Sequence, residues 1–157
     1  MKLEWEKVVK SGKLGMFFGE FEYRLDEKGR VPIPPKFRRD LEDGLVLSQG
    51  TEGCINVYPQ AEWEKMANSL TSNGTLTASK MRRLKRAIFA TAFSSNIDGQ
   101  GRIALPMALR IYAGIESDIV VAGVNNYLEL WSKEGWESEK SISQEQAWQI
   151  IEGLENR

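Results

Sequence analysis

From Phe17 onward the chain alternates. Phe17, Phe21, Tyr23 and Leu25 fall on one side, Phe18, Glu20, Glu22 and Arg24 on the other, which is the period of a strand with one face buried. The run Asp26-Glu27-Lys28-Gly29-Arg30 interrupts it. Val31 and Ile33 then continue the apolar face, and Pro32, which lacks a ladder donor, marks an edge or a strand crossing away. Pro35 predicts a short helix to Leu41, stopped by Asp43 and Gly44. Leu45 to Leu47 and Ile55 to Val57 predict a hairpin around Gly50 and Gly53. Trp63, Met66, Ala67 and Leu70, after Pro59, have the spacing of an amphipathic helix that breaks at 71–74. A second helix is predicted from about Thr77 to Thr91, with Met81, Leu84 and Ile88 as its apolar stripe.

The pattern then starts again. Asp98-Gly99-Gln100-Gly101-Arg102 repeats the earlier turn phrase, matching Asp26 with Asp98, Gly29 with Gly101, Arg30 with Arg102, Pro34 with Pro106 and Arg38 with Arg110. Phe21 and Leu25 fall on Phe93 and Ile97, and Val31 and Ile33 on Ile103 and Leu105. A repeat of this length means one supersecondary unit used twice. The reading is an extension at 1–15, a first repeat at 16–71, a connector helix at 72–92, a second repeat at 93–140 and a C-terminal helix at 141–157. That last helix is predicted from cap-like Ser141 with Gln144 and Ser143 with Gln146, and from the stripe Ala147, Ile150, Ile151 and Leu154.

The repeated phrase carries the candidate chemistry. An Asp ahead of a Gly-bearing turn bonds its own backbone two residues on, and Gly29 and Gly101 supply the positive φ such turns need. The Arg after each glycine either folds back on the Asp as a local ion pair or offers its guanidinium to an anion. Turn chemistry alone favours the ion pair.

Composition narrows the function classes. Histidine is absent and Cys54 is the only cysteine. Zinc sites and Ser-His or Cys-His nucleophile pairs are thereby removed, and an internal disulfide is excluded. Cys54, in a strand-like run, reads as a small buried hydrophobe. No long uncharged apolar run or secretory signal is visible, so the expectation is a cytoplasmic protein with no membrane partner. The net charge is −1, yet Arg24, Lys28, Arg30, Lys36, Arg38 and Arg39 cluster early and Lys80, Arg82, Arg83, Lys85 and Arg86 lie mid-chain. Local fields matter more than the sum. The basic connector helix fits a solvated face as well as it fits nucleic-acid contact.

With Met16-Phe17-Phe18-Gly19-Glu20 ahead of it, the paired phrase Leu25 to Arg30 and Ile97 to Arg102 resembles the MraZ family, the two-repeat members of the AbrB-like transcription factors. The likeness runs from Met16 into the 140s. It implies an α+β, mainly β fold: a duplicated swapped-hairpin AbrB-like barrel with flanking helices. It further implies ring-shaped homo-oligomers, nucleoid association, and repression of the division and cell-wall operon through G-rich direct repeats in its promoter. Under that resemblance Arg30 and Arg102 become base or phosphate contacts and Lys28 a phosphate anchor, with Gln100 its uncharged counterpart. Asp26, Gly29, Asp98 and Gly101 structure the loops. An Arg fork suits the O6 and N7 edge of guanine. No cofactor, metal, small-molecule substrate or catalytic residue is expected.

Two alternatives remain: an antitoxin-like regulator whose tail neutralises a toxin, and an oligomeric protein-binding module. An enzyme using Asp26 and Asp98 as an acid-base pair is disfavoured, because each sits beside an Arg that keeps it ionised. The extension at 1–15 is read as a translated piece of the operator rather than native protein, with Met16 as the start. Trp5 and Glu6 force TGGGA, while Val8-Val9 and Ser11-Gly12-Lys13 permit similar words at spacings of about one turn of B-DNA.

Overall fold

The computed structural model describes residues 16–156; the extension at 1–15 and the operator reading placed on it lie outside the described residues. The strand predicted from Phe17 is β1 (Phe17–Arg24), and it pairs antiparallel with β7 (Asp118–Asn125) of the second repeat, from Phe17 opposite Asn125 to Arg24 opposite Asp118. β7 forms a hairpin with β8 (Leu128–Ser132). In the first repeat β3 (Leu45–Gln49) forms the equivalent hairpin with β4 (Ile55–Pro59). That hairpin receives β5 (Phe93–Ser95), the first strand of the second repeat. Each repeat thus lends its first strand to the other repeat's hairpin. β4 and β8 join the two halves, Ile55 opposite Leu130 and Val57 opposite Leu128, in a six-stranded sheet of order β1-β7-β8-β4-β3-β5.

The remaining strands, β2 (Arg30–Pro32) and β6 (Arg102–Ala104), pair only with each other as a two-stranded ribbon. The swapped-hairpin expectation is therefore met, in the form of a sheet and a ribbon around one core rather than one hydrogen-bonded cylinder. Odd positions of β1 and β7 face that core with Val31, Ile33, Phe37, Leu47, Val57, Ile103, Leu105, Leu109, Leu128 and Leu130. Burying each such side chain contributes about 1.5–3 kcal/mol. Pro32 fits because a ribbon two strands wide leaves its nitrogen side unpaired.

A short helix follows each ribbon strand. α1 (Pro35–Arg38) runs on into one 3-10 turn at Arg39–Leu41, and its counterpart α4 (Met107–Ala113) ends on Gly114 at φ 64°. α2 (Gln60–Thr71) and α3 (Ala78–Ile88) fill the connection, with Thr77 capping α3 by accepting from the Lys80 N–H. The last element departs from expectation. Instead of starting as a separate helix at Ser141, α5 runs unbroken from Lys133 to Glu155. Its cap is Ser132, whose hydroxyl accepts from the Gly135 N–H at 3.0 Å. Ser141 and Ser143 lie exposed in mid-helix, where serine is tolerated and no glycine or proline forces a stop. Trp136 packs on Trp131, ring centroids 6.0 Å apart, and fixes the first half of α5 to the sheet.

Candidate nucleic-acid interface

Both loops fold by the same local chemistry. Asp26 Oδ1 accepts from the backbone N–H of Lys28 and of Arg30, each at 2.9 Å, and Asp98 Oδ1 accepts from Gln100 and Arg102 at the same distance. The Gly29 N–H closes on Asp26 O and the Gly101 N–H on Asp98 O, both at 3.0 Å. The glycines take φ of 73° and 78°, a left-handed turn that a Cβ disfavours. What remains at the exposed tips is Glu27 and Lys28 in one loop, Gly99 and Gln100 in the other.

The arginines do not occupy the tips. Arg30 and Arg102 are the first residues of the ribbon strands, half-buried, and each donates from Nε to its own loop's Asp Oδ2, at 2.6 Å and 3.0 Å. The ion pair favoured by turn chemistry forms, and it uses only Nε. Arg102 Nη1 also reaches Asp26 Oδ2 at 3.4 Å, so the two loops are tied to each other. Because Val31 and Ile103 point into the core, Arg30, Pro32, Arg102 and Ala104 share the ribbon's outward face. Asp26 and Asp98 are held below the ordinary carboxylate value, chiefly by the backbone N–H of Arg30 and Arg102 that each accepts. Carboxylates kept ionised in this way orient guanidinium groups and make poor proton donors.

Two further arginines brace the loops, and sequence reasoning gave them no role. Arg38 donates from Nε to Ile33 O at 2.8 Å and Arg110 to Leu105 O at 3.1 Å. Their guanidinium planes lie against the opposite repeat's loop glycine: Arg38 against Gly101 and Arg110 against Gly29, where an added Cβ would stand 2.8 Å from Arg110 Cζ. The signal was present in the register that matched Arg38 with Arg110. Only the strand exchange reveals that each serves the other repeat.

Elsewhere the basic residues of α3, Lys80, Arg82, Arg83, Lys85 and Arg86, are exposed, as a solvated face would be. Burial raises the Cys54 thiol far above its ordinary range, which removes it as a nucleophile. Among the described residues no group of three His, Cys, Asp or Glu is placed to hold a metal, and no helix is long and apolar enough to cross a membrane.

A duplicated chain whose repeats exchange strands and jointly hold a pair of Asp-braced arginines on one ribbon defines a swapped-hairpin protein of the AbrB-like class. Within that class the chain belongs to the MraZ family: the family model described as "MraZ protein, putative antitoxin-like" matches it twice, at residues 16–87 and 88–152. A protein of Dehalococcoides mccartyi named "Transcriptional regulator MraZ" is 64% identical over 141 residues, 89% of this chain and 99% of the relative. Proteins of the same name from Natranaerobius thermophilus and Deinococcus radiodurans are 43% and 40% identical, each over 78% of this chain and 85% and 86% of their own lengths.

Proposed function

We propose that the chain is a sequence-specific DNA-binding transcriptional regulator that reads G-rich direct repeats and represses its own division and cell-wall operon from the nucleoid. The observation that carries this reading is the ribbon: two antiparallel strands with apolar residues buried beneath and Arg30 and Arg102 set diagonally on the outward face, Arg30 opposite Ala104 and Arg102 opposite Pro32. A two-stranded ribbon fits the major groove, and a guanidinium fork pairs with guanine O6 and N7. With Nε committed to Asp26, both terminal nitrogens of Arg30 remain for a base. Arg102 shares one of its own with Asp26, so Arg30 is the stronger reader. Lys28 serves as a phosphate anchor and Gln100 as its uncharged counterpart. Homologous relatives named as transcriptional regulators support the same assignment.

In this reading the protein works as a closed homo-oligomeric ring. One loop pair reads few bases, and presenting several copies to tandem repeats raises effective concentration without new contacts.

Binding to duplexes carrying G-rich repeats or a scrambled sequence, over a salt series, tests the proposal. Arg30→Ala should lose discrimination by about 5–150-fold, the range of one bidentate pair at about 1–3 kcal/mol, while still melting cooperatively. Arg102→Ala should lose less. Lys28→Ala should weaken both duplexes equally and reduce the salt slope by about 0.9 per phosphate contact removed. A folded Arg30→Ala that still discriminates as the wild type does overturns the assignment.

A further inference from the structure

Among the described residues two helices expose clustered apolar side chains. The first is the far half of α5, where Trp148, Ile150, Ile151 and Leu154 are all exposed, Trp148 to 71%. The face that seats Trp136 on the sheet continues along the helix as Ala147, Ile150, Ile151 and Leu154, but it has run past the body it packed on. The second is on α4, where Met107 and Ile111 are 58% and 72% exposed beside a groove of about 390 Å³ lined by Met107, Arg110, Ile111, Gly114, Ile115 and Glu116. The positions matching Met107 and Ile111 in the first repeat hold Pro35 and Arg39, so the first repeat offers no equivalent patch there. Exposed apolar patches on a soluble chain mark interaction sites.

The two surfaces of one chain cannot cover each other. α5 begins near the end of α4, Glu134 sharing a surface pocket with Gly114 and Glu116. From there the helix carries Ile151 about 26 Å away at 1.5 Å per residue. We propose that the distal half of α5 docks in the α4 groove of a second copy, head to tail. The claim rests on the ring reading above and names its contact. Donor and acceptor patches that differ and lie far apart give a heterologous interface, the kind that closes into rings.

Charge and area agree with that occupant. Residues 141–157 carry Glu145, Glu152 and Glu155 against one cation, the terminal Arg157, while Arg110 in the groove pairs with no carboxylate among the described residues. Glu116, beyond the end of α4, repels the same carboxylates and so sets which way the arm lies. The arm's stripe covers on the order of 400 Å², about half of the roughly 800 Å² per partner in a standard interface. A single contact of that size is weak. A closed assembly, in which every copy gives one arm and receives another, makes two per chain.

Cysteine pairing tests the contact, since Cys54 is fully buried and only introduced thiols would react. Ile111→Cys mixed with Leu154→Cys, oxidised with diamide, should give a covalent dimer and nothing larger. The double variant should give a ladder up to the full assembly, and neither single variant alone should cross-link. Ile111→Asp and Ile150→Asp should each reduce the assembly to monomers by light scattering, with normal melts. Leu154→Cys cross-linking to Arg86→Cys on α3 in place of Ile111→Cys would put the arm on the basic helix and overturn the proposal. So would an oligomer untouched by both aspartates, which leaves the arm to another protein and the ring reading intact. A wild type that is monomeric across micromolar concentrations would overturn the ring and the contact together.

Discussion

Gly101→Ala is the substitution that most directly questions the cross-repeat brace. Its φ of 78° costs a Cβ-bearing residue about 1 kcal/mol relative to glycine. The new methyl would also stand inside contact distance of the Arg38 Nε and Cζ, so that side chain must leave. Leaving breaks the Arg38 Nε to Ile33 O bond of 2.8 Å, and a hydrogen bond from a charged donor is worth about 1.5–3 kcal/mol, taken at the low end because Arg38 is partly exposed. The expected cost is about 2–4 kcal/mol, which for a chain of this size lowers Tm by about 5–15 °C.

Gly29→Ala should cost less. There the Cβ would sit 2.8 Å from Arg110 Cζ and 3.0 Å from both terminal nitrogens, the mobile end of the side chain, and the bond at stake is already longer at 3.1 Å. The decisive measurement is a double-mutant cycle by urea unfolding at fixed protein concentration. In an Arg38→Ala background only the backbone term of about 1 kcal/mol should remain, so the coupling should be about 1 kcal/mol or more. If Gly101→Ala costs the same with and without Arg38, the two do not contact and the brace is refuted.

Two pH predictions follow from the carboxylates. Asp26 and Asp98 have folded values held below the ordinary 3.8, so their contribution is complete above 3.8 and is lost as pH falls through the lower folded values. The gap in urea midpoint between wild type and Asp26→Asn/Asp98→Asn should therefore stay constant from pH 7 to about 5 and narrow only below about 4; a gap that widens on acidification contradicts this. Glu129 behaves oppositely. Burial raises it above 4.5, although the Trp131 indole N–H at 3.1 Å partly offsets the effect. Relative to Glu129→Gln, the wild type should gain stability as pH falls from 7 toward 4.5, and a pH-independent difference would show the carboxylate to be well solvated.

What could be read in the sequence was whatever acts locally. The loops were legible because Asp26 and Asp98 bond backbone groups two and four residues on, within the span of the phrase. β1 was legible because one face is core and the other is not. The partner of β1 was a different matter: alternation at Phe17, Phe21 and Tyr23 says which face is buried and nothing about which hairpin lies alongside, so the exchange came from the family resemblance alone. α5 was divided wrongly because Ser141 and Ser143 mimic caps, and the long-range contact of Trp136 with Trp131 outweighs that local signal. Arg38 and Arg110 escaped because their glycines lie in the other repeat.

That last contact bears on why the repeats are exchanged at all. Were each loop braced only by its own repeat, the arginines proposed as DNA readers could be held independently, and the ribbon would only place them near one another. Here the Gly29 loop leans on Arg110, the Gly101 loop on Arg38, and Arg102 reaches across to Asp26. The backbone repeats the theme, with the Ile33 N–H donating to Gly101 O at 2.8 Å and the Leu105 N–H to Gly29 O at 2.9 Å. Displacing one loop therefore strains contacts that position the other. Two arginines fixed relative to each other by the fold lose less freedom on meeting a rigid duplex than two on separate hinges, because the ordering cost is met during folding. The exchange of strands, which looks like a matter of architecture, is in this way what sets the spacing between the two guanidinium groups.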